Sequence, residues 1–359
     1  MAFNVITLPV VLLFNACGFV QLYYAIKLKR KYPEDHNIIN SYISFVLWII
    51  AGLLYPFIYL TDNSRIRWFQ ALSTFFICIF TPGILFLILY YQYRVVKKNP
   101  EVKKRRSFSF FIKEFNQKRN EDQNIKISKF KKDLNRKALH LFPASVIIIL
   151  WVFAVYIWEG MWNADQIWGI SGVNFGKFLI ITAGFSGILA FTALDYVRLS
   201  YIFENHNIFH LLPDNVSNLL GKSLNRNELY EFTRPAVFVL TLVPIFFFPF
   251  GIFAAAALIG TIGDGAASVF GIKFGKRNFP KGSDKTVVGY IAGFLASFGI
   301  SVLSLWIFES DLVIKKIIII ALGAGIMFFI VDFLNIKIDD DILNPLCCAI
   351  VMILLYYII

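Results

Sequence analysis

Read for its hydrophobic and polar positions, the chain is a succession of apolar stretches separated by mostly short polar connections. Each stretch is long enough, at about 20 residues, to cross roughly 30 Å of hydrocarbon as a helix. The pattern predicts spans near 4–26, 40–61, 69–93, 139–158, 177–197, 233–249, 252–271, 287–308, 314–333 and 342–359. Around Pro249-Phe250-Gly251 the pattern reads as two short spans joined by a tight turn. The expected fold is therefore all-α: a polytopic integral membrane protein of about ten transmembrane helices with a single membrane domain.

Composition agrees with that pattern. Of 359 residues, 58% are hydrophobic and only 16% charged, which excludes an ordinary soluble domain. The net charge of +12 does not favour nucleic acid, because the basic residues lie in loops beside spans, where they set orientation and attract anionic lipid headgroups. Ten spans put Lys27 to Lys31, the segment 94–137 and Lys273 to Lys285 on one side, cytoplasmic by the positive-inside rule. Three parts follow: a three-helix segment over 1–93, a basic cytoplasmic arm over 94–135 and a second helical segment over 136–359. The arm reads as surface-lying or partly disordered, and 198–232 as an interfacial helix broken at Pro213. Cys17, Cys78, Cys347 and Cys348 sit within apolar runs at spacings that suit neither a metal nor a disulfide framework. The first run lacks the basic leader of a cleavable signal.

The chemistry collects at span ends. Gly263, Ala267, Gly271 and Gly275 fall four apart, a stripe suited to close helix packing, with Asp264 and Ser268 beside it. An acid there must face protein, a cation or water, which makes Asp264 a functional candidate. Lys273, Lys276, Arg277, Lys281 and Lys285 follow in the next loop. Arg136, Lys137 and His140 enter the fourth span, either as orientation charges or as part of a site. Asp195 and Arg198, three apart, read as a local ion pair. Asp339-Asp340-Asp341 is either a solvated loop or a cation site. Carboxylates suit Mg²⁺ and clustered Lys and Arg suit phosphate, so the combination points to phosphate chemistry. No GxxxxGK[ST] loop, kinase HRD and DFG pair, HExxH or GxSxG motif is present.

These residues resemble the membrane-bound CTP-dependent lipid-alcohol kinases, namely dolichol kinase, phytol kinase and the CTP-using diacylglycerol kinase. More distantly they resemble the phosphatidate cytidylyltransferases. The resemblance rests on Arg136-Lys137-Ala138-Leu139-His140, on Gly263-Asp264-Gly265-Ala266-Ala267-Ser268 continuing to Gly271 and Gly275, on Lys285-Thr286 before Gly289, and on Asp339-Asp340-Asp341 with Pro345-Leu346. It covers roughly 136–359. Two features depart from the family pattern: Asp341 stands where the last motif has Asn, with Asn344 three residues on, and Lys285-Thr286-Val287-Val288-Gly289 lacks the family's acid.

The resemblance implies that 136–359 is a catalytic membrane domain. It implies transfer of the γ-phosphoryl group of CTP to a membrane lipid alcohol, with Mg²⁺ as cofactor, at the cytoplasmic face of the plasma membrane or endoplasmic reticulum. In that reading Asp264, Lys285 and His140 are catalytic, and Asp264, Asp340 and Asp341 are metal ligands. Gly263, Gly265, Ser268, Arg277, Lys281, Lys285 and Arg136 contact the nucleotide or its phosphates. The rivals are a cytidylyltransferase, which would release pyrophosphate rather than CDP, and an ion-coupled transporter, against which the clustered positive charges argue.

Overall fold

The computed structural model describes residues 4–59, 63–122, 126–224, 226–280, 285–334 and 336–359; for 118–122, 126–133, 135–136, 138–140 and 226–227 it describes the backbone alone. Among the described residues nine helices are long and apolar enough to cross a membrane: Val5–Lys31, Ile38–Ile58, Ser64–Lys98, Leu141–Glu159, Gly172–Ile202, Phe250–Phe274, Val287–Phe308, Ile314–Leu334 and Asp340–Ile358. The chain is an all-α, multi-pass membrane protein.

The span expected at 233–249 is shorter. Arg234–Phe247 reaches only about 21 Å at 1.5 Å per residue. Its α-helical part ends at Leu242, Pro244 opens a 3₁₀ turn, and Phe248 is extended before the next helix starts. The break falls where the turn at Pro249 is expected. A Cβ on Gly260 would lie 2.8 Å from the Phe238 ring, while Phe246 and Phe253 rings meet at 5.2 Å. The short helix thus runs antiparallel to Phe250–Phe274, and the chain reverses at Pro249.

The helices form two compact units that interleave along the chain: Met1–Ile125 with Ile149–Ala236, and Lys126–Ile148 with Val237–Ile359. The expected boundaries at 93 and 135 follow chain order, whereas these units do not.

In the first unit, Phe14, Trp48, Tyr55 and Phe185 are fully buried and in ring contact. The segment expected as a loose arm is ordered over most of its length, in helices Pro100–Arg105 and Phe108–Asp122. Phe108, Phe111 and Phe115 recur at helical spacing and join a core with Tyr201, Phe209, Leu211, Leu212 and Leu220. Arg105 and Arg106 bind Asp214 at 2.9 and 3.0 Å, holding the arm to the Asp214–Ser223 helix that begins after Pro213. Apolar burial and this double ion pair overcome the net charge of the segment.

Asp195 and Arg198 do form an ion pair, at 2.9 Å, and both are buried. Thr233 donates to Asp195 through its backbone N–H and its hydroxyl, and Arg198 donates to the carbonyls of Glu228 and Leu229. With its charges satisfied internally, this group fastens the end of the Gly172–Ile202 helix.

The second unit is built on small residues. A Cβ on Gly263 would meet Ser297 Oγ at 2.6 Å, one on Gly293 would meet the Ala267 Cβ at 3.0 Å, and one on Gly289 would meet the Gly271 Cα at 3.5 Å. Each step of four along Phe250–Phe274 meets a step of four back along Val287–Phe308, an antiparallel zipper of closely approaching backbones. Ile314–Leu334 packs on the other flank, where the Phe328 ring lies over Gly293 and Phe294 over Gly325. Asp340–Ile358 lies against Ile314–Leu334 through Cys348, whose Sγ is 3.5 Å from the Ala324 carbonyl, and reaches Gly260 through Pro345.

Candidate active site

The zipper brings one end of four helices of the second unit together. A π-helical turn, Ile259–Gly263, immediately precedes Asp264, a local device often found where a helix presents a functional side chain. Pro345 packs on Gly260, and one turn further along each antiparallel helix stand Asp264 and Asp341. Sequence positions 77 residues apart are thus placed on the same end of the unit.

Asp264 is buried and forms an ion pair with Lys137. Lys137 lies on the Lys126–Val152 helix, seven residues before the buried Ala144 and ten before the buried Ile147, so it shares their inward face. A second pair stands beside the first. Lys285 donates to the Asp332 carboxylate and, at 3.2 Å, to the Asp332 carbonyl. The Asp332 carboxylate also lies within electrostatic reach of Asp340 and Lys137, so the two pairs belong to one charged cluster.

Lys285, Asp332, Asp340 and Asn344 line a small recess with Ile336, Ile338 and Leu343. The three consecutive acids divide their roles. Asp339 caps the Asp340–Ile358 helix, accepting the Asp341 N–H at 3.1 Å, while Asp340 faces the recess and Asp341 is buried. All three lie at a helix N-terminus, where the macrodipole favours negative charge. Asn344, one turn on, is buried with its Oδ1 accepting no hydrogen bond. A buried polar atom of that kind, at the edge of a polar recess, fits a ligand contact.

The chain is 30% identical over 116 residues to the probable phytol kinase 1, chloroplastic, of Oryza sativa subsp. japonica. That similarity spans 30% of this chain and 36% of the relative, so just over a third of the relative's length is matched. No family model and no solved structure matches the chain.

The structure sorts the residues expected in a site. It gathers Asp264, Lys285, Asp340 and Asp341 at one end of the second unit, with Gly263 and Gly265 flanking Asp264 and Ser268 one turn beyond. Gly263 is occupied in packing against Ser297, and Gly271 and Gly275 crowd Thr286, so the stripe serves helix contact. Arg277 is exposed in the following loop, where its carbonyl accepts the Val287 N–H at 3.4 Å. Lys281 lies outside the described residues, as do the side chains of Arg136 and His140. Lys137, read from the sequence as an orientation charge or part of a site, stands in this cluster, and Asp332 and Asn344 stand beside it.

Among the described residues no three His, Cys, Asp or Glu side chains are gathered to hold a metal ion. Asp264 is held by Lys137 in this arrangement. Mg²⁺ accompanying a nucleotide needs only one or two protein carboxylates, the phosphates and water supplying the rest. Asp340 at the recess and Asp341 behind it fit that smaller requirement.

Proposed function

We propose that this chain transfers the γ-phosphoryl group of CTP to the hydroxyl of a long-chain isoprenoid alcohol, of dolichol or phytol kind, at the cytoplasmic face of its membrane. The observation that carries this reading is the pairing of Lys137 with Asp264 and of Lys285 with Asp332 at the ends of apolar spanning helices. The similarity to a probable phytol kinase supports the class, a lipid kinase.

Phosphoryl transfer depends on positioning and on neutralising charge, with little covalent work for the protein. Two ammonium groups already held on carboxylates are placed to move onto phosphate oxygens, each exchanging one charge-assisted bond for another. When Lys137 engages phosphate, the Asp264 carboxylate is released to accept the proton of the lipid hydroxyl. The hydroxyl oxygen then bonds to the γ-phosphorus, the bond to the β,γ-bridging oxygen breaks, and CDP leaves. Lys285 stabilises charge on the phosphates from the recess, and Asn344 helps fix their position. Asp340 and Asp341 would hold Mg²⁺, which when bound neutralises phosphate charge. The alcohol reaches the site from within the bilayer, its hydroxyl at the depth of the charged cluster.

Purified protein in lipid micelles, given γ-labelled CTP, Mg²⁺ and a panel of dolichol, phytol, geranylgeraniol and diacylglycerol, tests the proposal. Label is expected in an isoprenoid phosphate. CTP binding without labelled lipid from any alcohol would contradict it.

A further inference from the structure

The first unit contains a cavity of about 560 Å³ that the proposed chemistry does not use. Its walls are Trp68 and Phe69 from the start of the Ser64–Lys98 helix, Trp158 from the end of the preceding span, Trp168 from the connection, and Phe178 from the start of Gly172–Ile202. All of these positions are at span ends, the depth of lipid headgroups and of the aromatic belt. An aromatic belt by itself faces lipid from separate helices. Here the rings line one half-open volume within the range of ligand sites, about 300–1,000 Å³. Phe69 and Phe178 stack at 4.5 Å in this lining, while Trp68 and Trp168 remain 58% and 60% exposed.

Arg65 supplies the single charge in this lining. Its guanidinium donates to the Trp168 carbonyl at 2.7 Å. Gly169 makes that seat possible, because a Cβ there would lie 1.4 Å from the Arg65 Nη1. Gly169 also has φ of 62°, a left-handed conformation that a larger residue adopts with strain. The sequence thus keeps a guanidinium, with donors to spare after one carbonyl contact, over the mouth of an aromatic-walled cavity.

We propose that this cavity binds one anionic membrane phospholipid, with an acyl chain among the aromatic rings and its phosphate on Arg65. The apolar volume and interfacial depth select a lipid chain, and the guanidinium selects a phosphate-bearing anionic headgroup over a zwitterionic one.

Tryptophan quenching by phospholipids with brominated acyl chains tests this on the full-length protein. Brominated phosphatidylglycerol is expected to quench at a lower mole fraction than brominated phosphatidylcholine. Arg65→Gln should reduce that preference by roughly tenfold or more, the worth of about one charge-assisted hydrogen bond. Gly169→Ala should do the same by displacing the guanidinium, a flexible side-chain end on the surface. Equal quenching by the two lipids in the unaltered protein would overturn the proposal. So would an undiminished preference in Arg65→Gln.

Discussion

Lys137 and Asp264, 127 residues apart in the chain, close an ion pair with only 9% and 12% of their side chains exposed. A buried pair of this kind contributes little net stability relative to apolar residues, yet removing one partner strands the other charge. Its placement beside the Lys285–Asp332 pair is better explained by chemistry than by stability.

Asp264→Asn and Lys137→Gln should each lower phosphoryl transfer by at least about 100-fold, the usual loss when a group acting on developing charge is removed. Each single change should also lower the melting temperature. The double variant should recover melting temperature without recovering activity, because it leaves no stranded charge. Turnover and thermal unfolding of the three proteins in detergent measure both effects.

Asp332 is a positioning residue, since it acts by holding the Lys285 ammonium at the recess. Asp332→Asn should raise KM for CTP by about tenfold while changing kcat less, because Lys285 remains but is no longer held. A fall in kcat with unchanged KM would instead place Asp332 in the chemical step.

The glycine zipper makes a prediction about stability alone. Gly293→Ala should destabilise by about 1–3 kcal/mol, since the new Cβ would lie 2.4 Å from the Phe328 ring and 3.0 Å from Ala267. Gly299→Ala on the same helix meets nothing within 4 Å and should be neutral or stabilising by up to about 1 kcal/mol. Denaturation of the two variants side by side separates packing from helix propensity.

Outside the spans, His36 is buried with Nδ1 2.9 Å from the Tyr230 carbonyl and Nε2 3.2 Å from Ser41 Oγ; Glu231 and Lys29 stand nearby. Burial pushes its imidazole below the usual value, the Tyr230 contact partly opposes this, and the Lys29 charge adds to it. The unfolded chain then takes up a proton at higher pH than the folded one. Stability from this residue is full above about pH 6.5 and declines as pH falls from there towards the lowered folded value. Melting temperature measured from pH 8 to pH 5 should fall in that window, and His36→Gln should flatten the fall.

Much of this architecture was legible in the order of apolar and polar positions. Asp264 stood out because an acid in a glycine stripe has few harmless explanations. Lys137 was legible only as one of two adjacent bases, an orientation charge or part of a site, and its inward placement is decided by the helix face that carries Ala144 and Ile147. Asp332 falls at the end of the apolar span near 314–333, but its pairing with Lys285 depends on the register of two packed helices. Charge hid the order of the arm, although Phe108, Phe111 and Phe115 already carried the helical period that buries it. The span expected at 233–249 was shortened by Pro244, whose effect on length the apolar pattern does not show.

Parallel single-turnover reactions with α-labelled and γ-labelled CTP decide whether the terminal phosphoryl group is transferred. Label is expected in the lipid from the γ position, none from the α position, and CDP as the released nucleotide. Label entering the lipid from the α position, with release of pyrophosphate, would contradict this transfer and make the chain a cytidylyltransferase.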